Sequence, residues 1–426
     1  MTVPFAIAKS TRPVLVMFSI AALTVAIAWS SAPAADTELL SHPQDLPRYA
    51  LPGDARAGII TFVEKGCMQC HSMRGEGGGM GPDLGFSTSR PLNGAQLAGV
   101  LWNHAPEMWQ MMQAQGIETP SLEEKEVADL FALFYAVGYL DRSGNPSRGQ
   151  DVLKAYGCLQ CHDLREASST GIPALIQPGI YNSPIQLAQA MWNHAPRMAR
   201  FMEDLEVPWP QVDSQALVDL TSYLQLLSGD LGMRQLPRAA DPEMGSRLFI
   251  SKGCSTCHAV RGRLVSTQTA SAATGPDLAG TSTISHTLTE FAALMWNHAP
   301  HMQEHMEEIG LRLPTFTGDE MAALIAYLFS IRYFDPFGDK DRGRSVYVAK
   351  GCASCHGPTR MGNAEGPSLD ALAGRASPIT VATGIWNHGP AMLEQLRTSG
   401  RIWPTFSGSE MGDLITYLNT QPGTRR

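Results

Sequence analysis

All eight cysteines of this 426-residue chain fall into four copies of one short motif, Cys-x-x-Cys-His. The cysteine pairs are Cys67 and Cys70, Cys158 and Cys161, Cys254 and Cys257, and Cys352 and Cys355. The histidines that follow them are His71, His162, His258 and His356. This pattern is typical of covalent haem attachment, in which the two thiols add to the porphyrin vinyl groups and the imidazole turns to the iron. The sequence therefore predicts four haem c groups per chain.

Two other structures use paired cysteines. Disulfides form in exported proteins, and four-cysteine zinc sites are built from two Cys-x-x-Cys units. Neither structure explains why a histidine directly follows every second cysteine, so the pattern favours haem attachment.

The rest of the chain repeats with the motif. The first cysteines are 91, 96 and 98 residues apart, and such a period indicates a repeated structural unit. Linkers rich in Gly, Pro and charge separate the units. The predicted domains are 48–141, 145–230, 240–335 and 338–420. The third unit has seven additional residues within Ser266–Thr274, which predicts a surface loop.

A second motif, Trp-Asn-His-x-Pro-x-Met, occurs once in each repeat. The four copies begin at Trp102, Trp192, Trp296 and Trp386. Because proline lacks a backbone N–H and clashes with the preceding turn, we expect the helix to break or kink there. We expect the tryptophans to pack on the haem. A further proline lies 16 residues beyond each histidine of this motif.

With these motifs the chain resembles four tandem class I c-type cytochrome domains over about residues 48–420. The resemblance also rests on a Gly-x-x-x-aromatic pattern before each haem motif, Gly-Pro-Asp-Leu at 81–84 and 275–278, and Tyr-Leu near the end of the last helix. It implies an all-α fold of four small helical domains, each around one haem. In that family the first and last helices cross at the glycine, and a proline carbonyl holds the haem-binding histidine. The matching prolines are Pro82, Pro173, Pro276 and Pro367.

The distal iron ligand is where this sequence departs from the family. Class I domains place a methionine just before the proline that leads into the last helix, but this position holds Thr119, Trp209, Leu313 and Trp403. The second motif offers two other donors in every repeat. We favour its methionines, Met108, Met198, Met302 and Met392, because a soft thioether suits haem iron. The alternatives are the histidines His104, His194, His298 and His388, or open irons.

Residues 1–35 have the features of a secretory signal peptide. Lys9 and Arg12 precede an apolar run, and the small residues of 31–35 offer a cleavage site after Ala34 or Ala35. The sequence therefore predicts an exported, periplasmic protein. The alternative is an uncleaved anchor that tethers the chain to the periplasmic face of the inner membrane.

Composition narrows the function further. With 44% hydrophobic and 17% charged residues, the chain is not a disordered one. Its net charge of −8 gives no basic surface for nucleic acid, and favours redox partner proteins with basic docking patches. We predict an electron-transfer protein with no catalytic residues. The alternative is a multihaem reductase or peroxidase with one open haem iron, but all four repeats keep the same donors.

Overall fold

A computed structural model of the chain gives a mostly helical structure, which confirms the all-α fold class. The residues that it describes are 53–85, 92–139, 144–169, 171–177, 179–229, 240–260, 275–279, 287–333 and 338–420. The predicted signal segment 1–35 and the predicted insertion Ser266–Thr274 lie outside these residues. Among the described helices, none has both the length and the apolarity needed to cross a membrane.

Each sequence repeat contains three main helices in the same order, which we call opening, central and closing helices. The opening helices are α1 (Ala55–Glu64), α4 (Pro146–Ala155), α7 (Pro242–Ser251) and α10 (Lys340–Ala349). The central helices are α2 (Gly94–Ala114), α5 (Pro184–Asp204), α8 (Leu288–Glu308) and α12 (Pro378–Thr398). The closing helices are α3 (Glu124–Val137), α6 (Ser214–Ser228), α9 (Gly318–Tyr333) and α13 (Glu410–Leu418).

Shorter elements surround the haem motifs. In repeat four the motif forms helix α11 (Cys352–His356), whereas the other three copies begin with a 3-10 turn. In repeat one a small antiparallel hairpin of β1 (Ser72–Met73) and β2 (Glu76–Gly77) follows the motif, with Ser72 opposite Gly77.

The opening and closing helices of each repeat cross at the glycine that the resemblance implied. A Cβ atom on Gly58 would lie 2.2 Å from the carbonyl oxygen of Asp129, and one on Gly343 would lie 2.0 Å from that of Asp413. Gly149 and Gly245 are equally close to their closing helices. Any side chain at these positions would push the helices apart, so the implied crossing is confirmed.

A buried aspartate of the closing helix fixes the opening helix in three repeats. In repeat four, Asp413 Oδ1 accepts a hydrogen bond from the N–H of Asp339 at 2.7 Å, and Asp339 caps the N-terminus of α10. Arg342 Nε donates to Asp413 Oδ2 at 3.0 Å, and this bond holds the pKa of Asp413 below its usual value. Equivalent aspartates are Asp129 and Asp219. Repeat three has Ala323 at this position.

The central helices run unbroken through the motif proline, so the predicted break does not occur. Each is 21 residues long and contains Pro106, Pro196, Pro300 or Pro390. A helical proline provides no N–H for the carbonyl four residues earlier, and that carbonyl belongs to the motif tryptophan. The carbonyl of Trp102 instead accepts a hydrogen bond from Trp403 Nε1 at 3.1 Å. That indole comes from repeat four, so a contact between repeats replaces the lost helical bond.

The Trp-Asn pair of each motif also bonds to another repeat. In repeat one, Trp102 Nε1 donates to the carbonyl of Pro404 at 2.6 Å. The side chain of Asn103 donates to the carbonyl of Phe406 and accepts from its N–H, both at 2.8 Å. These contacts, which we call the Trp-Asn clasp, join repeat one to repeat four.

The same clasp is made in the reverse direction and in a second pair of repeats. From repeat four, Trp386 Nε1 donates to the carbonyl of Pro120 at 2.7 Å, and Asn387 bonds to Leu122. Repeats two and three are joined by Trp192 on Pro314 and by Trp296 on Pro210. The four tryptophans are 6–8% exposed. Their indole N–H groups therefore bond to proline carbonyls between repeats, a role that the predicted haem packing did not include.

Repeats one and three meet through a cluster of aromatic side chains. The ring of Tyr139 stacks on that of Phe329 with centroids 3.9 Å apart, and Tyr135 packs edge-on against Tyr333 at 4.9 Å. The Tyr135 hydroxyl donates to the carbonyl of Phe329. The described repeats thus form two clasped pairs, one with four and two with three, and this cluster links the pairs.

One side-chain fit distinguishes the two clasped pairs. The motif residue before proline is alanine in repeats one to three and glycine, Gly389, in repeat four. A Cβ atom on Gly389 would lie 2.0 Å from the ring of Trp109, which is 5% exposed in repeat one. The indole therefore fills the space that the missing methyl group leaves.

We expect Gly389→Ala to destabilise the pairing of repeats one and four by about 1–3 kcal/mol, because the new methyl group overpacks against Trp109. Chemical unfolding of the haem-loaded protein measures the change. The matched control is Gly384→Ala in the same helix, where a Cβ would meet open space, and where alanine favours the helix by up to about 1 kcal/mol. The double variant with Trp109→Leu should recover stability. Equal effects of the two alanine variants would contradict the proposed fit.

We expect Asp413→Asn to lower stability at pH 7 by about 1.5–3 kcal/mol, the usual contribution of a hydrogen bond to a charged group. Because the folded-state pKa of Asp413 lies below its unfolded value, this stabilisation is full above the unfolded pKa of about 4. It is lost as the pH falls through the folded pKa. Between neutral and acidic pH, the free energy of unfolding should therefore depend less on pH in the variant than in the native protein. Asp370→Asn, which changes an exposed side chain, should leave this pH dependence unchanged.

Candidate haem-binding sites

A glycine in the left-handed backbone region turns the chain from each opening helix into the haem motif. Gly66 has φ of 76° and Gly253 has φ of 85°, which glycine adopts without the strain of a Cβ atom. Gly157 and Gly351 do the same. In the tight turn that follows in repeat one, the N–H of His71 donates to the carbonyl of Cys67 at 3.0 Å. This turn brings the first thiol and the imidazole to one side of the chain.

Each motif histidine is held by the proline carbonyl that the resemblance implied. The distances from Nδ1 to the carbonyl oxygen are 3.0, 2.8, 3.1 and 2.9 Å for His71 on Pro82, His162 on Pro173, His258 on Pro276 and His356 on Pro367. A carbonyl can only accept, so Nδ1 carries the proton and the lone pair of Nε2 remains for a metal. Such a bond fixes the ring and raises its basicity as a ligand.

A glycine packs flat against the histidine ring in two repeats. A Cβ atom on Gly81 would lie 2.5 Å from both Nδ1 and Cε1 of His71, and one on Gly275 would lie 2.6 Å from the same atoms of His258. These glycines stand directly before the prolines that accept the hydrogen bond. The Gly-Pro step therefore both anchors the ring and leaves room for it.

None of the eight cysteines forms a disulfide. The first cysteine of each motif packs against an apolar cluster. Burial raises the pKa of Cys67, Cys254 and Cys352 to about 11 and also raises that of Cys158. Within the described ranges no group of three or more His, Cys, Asp or Glu side chains forms a metal cluster.

The central helices bring the distal donors to the haem motifs in different ways. The His104 ring lies 6.2 Å from that of His71, and the His194 ring lies 5.9 Å from that of His162, measured between centroids. His298 and His388 are exposed. The four motif methionines, Met108, Met198, Met302 and Met392, are half-buried against the apolar clusters. The position of the second-motif histidine therefore differs between repeats, whereas the methionine is half-buried in all four.

These residues fit a covalently attached haem. Each site has two thiols, one of them facing an apolar core, and an imidazole whose free Nε2 is oriented by its anchored Nδ1. In repeat two, the Nε2 atom of His194 is buried and makes no hydrogen bond to described residues. A buried polar atom without a partner is costly, and iron would provide that partner.

Comparison with protein families gives the same assignment for the second half of the chain. The family model described as Cytochrome c matches residues 242–332 and 341–422, which correspond to repeats three and four. These two segments are therefore similar to cytochrome c domains, a match that implies covalently bound haem c. A search of curated proteins found no match, and neither did a search of solved structures.

We expect Gly81→Ala to displace the ring of His71, because the new methyl group would lie 2.5 Å from two ring atoms. The haem of repeat one should then lose its proximal bond or fail to attach. A mass spectrum counts the attached haems, and the ferric absorption spectrum reports a new high-spin iron. Gly79→Ala is the matched control, since a Cβ there meets nothing within 4 Å. An unaltered spectrum for Gly81→Ala would show that the packing of this glycine does not hold the ring.

Proposed function

We propose that this protein is an exported tetrahaem c-type cytochrome that carries electrons between redox proteins. The observation that supports the proposal most strongly is the fourfold recurrence of one geometry, in which a histidine after two thiols bonds through Nδ1 to a proline carbonyl. Repeats three and four have this geometry and match the cytochrome c family. Repeats one and two have the same geometry, so we assign them the same cofactor.

Each side chain then has a defined role. The eight cysteines attach the four haems, and His71, His162, His258 and His356 are the proximal iron ligands. Haem supplies a one-electron couple at its iron. The central helix of each repeat provides the distal donor, and the Trp-Asn clasp fixes that helix. With both ligands held by the fold, little of the protein has to rearrange when the iron changes its oxidation state.

We propose four haem domains, at 48–141, 145–230, 240–335 and 338–420. The opening and closing helices of each domain pack against each other within the domain, whereas the central helices pack between domains. The domains are therefore clasped in pairs. Such pairing suits electron transfer within one chain, because it holds neighbouring haem domains in fixed contact.

The charge of the chain supports a partner with a basic surface. The net charge is −8, and it becomes −10 if the signal segment with Lys9 and Arg12 is removed. Acidic surfaces attract basic partners over a distance, and salt weakens this attraction. We therefore propose periplasmic redox proteins with basic docking patches as the partners. The rate of reduction by a small basic cytochrome should fall as ionic strength rises, and a rate independent of salt would contradict this choice of partner.

A mass spectrum of the mature protein tests the cofactor count, because the chain should carry four haems. Free thiols or fewer haems would overturn the tetrahaem proposal. N-terminal sequencing should return a start at Ala35 or Asp36, whereas a chain that keeps Met1 or Thr2 on membranes would replace cleavage with an anchor.

Carbon monoxide separates electron transfer from the enzymatic alternative. It binds ferrous haem at an open coordination position, so a six-coordinate electron carrier should bind it at none of its four irons. Binding at one iron in the native protein, together with turnover of peroxide or another small oxidant, would support a reductase or peroxidase instead.

A further inference from the structure

We propose that the chain holds two classes of haem iron, an inference that rests on the proposed function. In repeats one and two the distal ligands are His104 and His194. In repeats three and four they are Met302 and Met392. The sequence favours methionine in every repeat, because all four motifs contain the same donors. The structure instead distinguishes repeats one and two from repeats three and four.

The spacing of the imidazole rings is the first observation. An imidazole–metal bond is about 2 Å long, and the ring centre lies about 1 Å behind the nitrogen, so two imidazoles on one iron have centroids about 6 Å apart. The centroid of His104 lies 6.2 Å from that of His71, and the centroid of His194 lies 5.9 Å from that of His162. Both pairs have the separation that a shared iron requires.

The second observation is the surroundings of the ring nitrogens of the two distal histidines. In repeat one, His104 Nδ1 lies 3.4 Å from the exposed carboxylate of Glu107, a loose contact that does not involve Nε2. In repeat two, His194 Nε2 is buried and makes no hydrogen bond to described residues. The ring nitrogen needed for ligation is thus available in both repeats.

The helix limits each site to one of the two donors. His104 and Met108 are four residues apart, so they lie on the same face of α2, about one turn or about 6 Å apart along its axis. The residue that lies opposite the proximal histidine therefore excludes the other from the distal position. Because the ring of His104 already faces that of His71, Met108 lies one turn away along the helix.

Repeats three and four lack this arrangement. His298 and His388 are exposed. No ring contact joins His298 to His258 or His388 to His356, four residues that all lie in the described part of the chain. Met302 and Met392 are half-buried against the apolar clusters there. The thioether is therefore the donor that remains.

This division gives each clasped pair one iron of each class. Repeat one, with two imidazoles, is clasped to repeat four, and repeat two is clasped to repeat three. Methionine ligation raises the reduction potential of haem iron. Each pair thus joins a lower-potential to a higher-potential haem.

Near-infrared magnetic circular dichroism of the oxidised holoprotein separates the two ligand sets, because iron ligated by histidine and methionine and iron ligated by two histidines absorb at different wavelengths. The native protein should show two irons of each kind. Met392→Leu should halve the methionine band, whereas the matched variant Met108→Leu should leave it unchanged. A methionine band that Met108→Leu weakens would overturn the assignment in repeat one.

The histidine variants provide the reverse test. His104→Ala should remove half of the signal from irons with two histidines, and His388→Ala should leave that signal unchanged. The haem count is measured on every variant by mass spectrometry. Fewer than four haems in the native protein would overturn the proposed function itself. Four haems that all show methionine bands would overturn only this inference.

Discussion

The hydrogen bond from an indole N–H to a proline carbonyl of another repeat is the contact on which the rest of the arrangement depends. It occurs four times, at 2.6–2.9 Å, and each tryptophan that donates it is buried. An indole N–H buried without an acceptor costs about 1–3 kcal/mol. Burial of the motif tryptophan without the matching repeat would therefore leave its indole N–H without an acceptor. That same helix carries the candidate distal donors, so the pairing of repeats also positions these donors.

The parts of each site that lie within one repeat could be predicted from the sequence. Gly58 against Asp129 and His71 on the carbonyl of Pro82 both match the class I pattern. These contacts depend on local spacing, because a Cys-x-x-Cys-His turn after a left-handed glycine allows few other conformations. The fold class, the hydrogen bonds from the motif histidines to proline carbonyls and the crossing of the opening and closing helices followed from the same short-range constraints.

The contacts between repeats could not be predicted in the same way. Trp102 meets Pro404 across 302 residues, and four copies of one motif do not indicate which copies pair. Proline in the middle of a helix was expected to break or kink it, because Trp403, whose indole N–H donates to the freed carbonyl of Trp102, belongs to another repeat. The sequence did contain a signal in the differences between its copies. Repeat four has Gly389 where the other repeats have alanine, and this glycine leaves space for Trp109 of repeat one. Such a difference between otherwise equal copies indicates which two repeats pair.

The nested order of the clasps favours closure of the inner pair first. The inner clasps, between repeats two and three, span 122 and 86 residues, whereas the outer clasps, between repeats one and four, span 302 and 266. A chain that emerges N-terminus first can close the inner pair before repeat four exists. That closure also shortens the effective loop which the outer pair must close, and so lowers its entropic cost. The apolar face of α2 is consequently the last to be covered. The first repeat to be synthesised is therefore exposed to aggregation for the longest time.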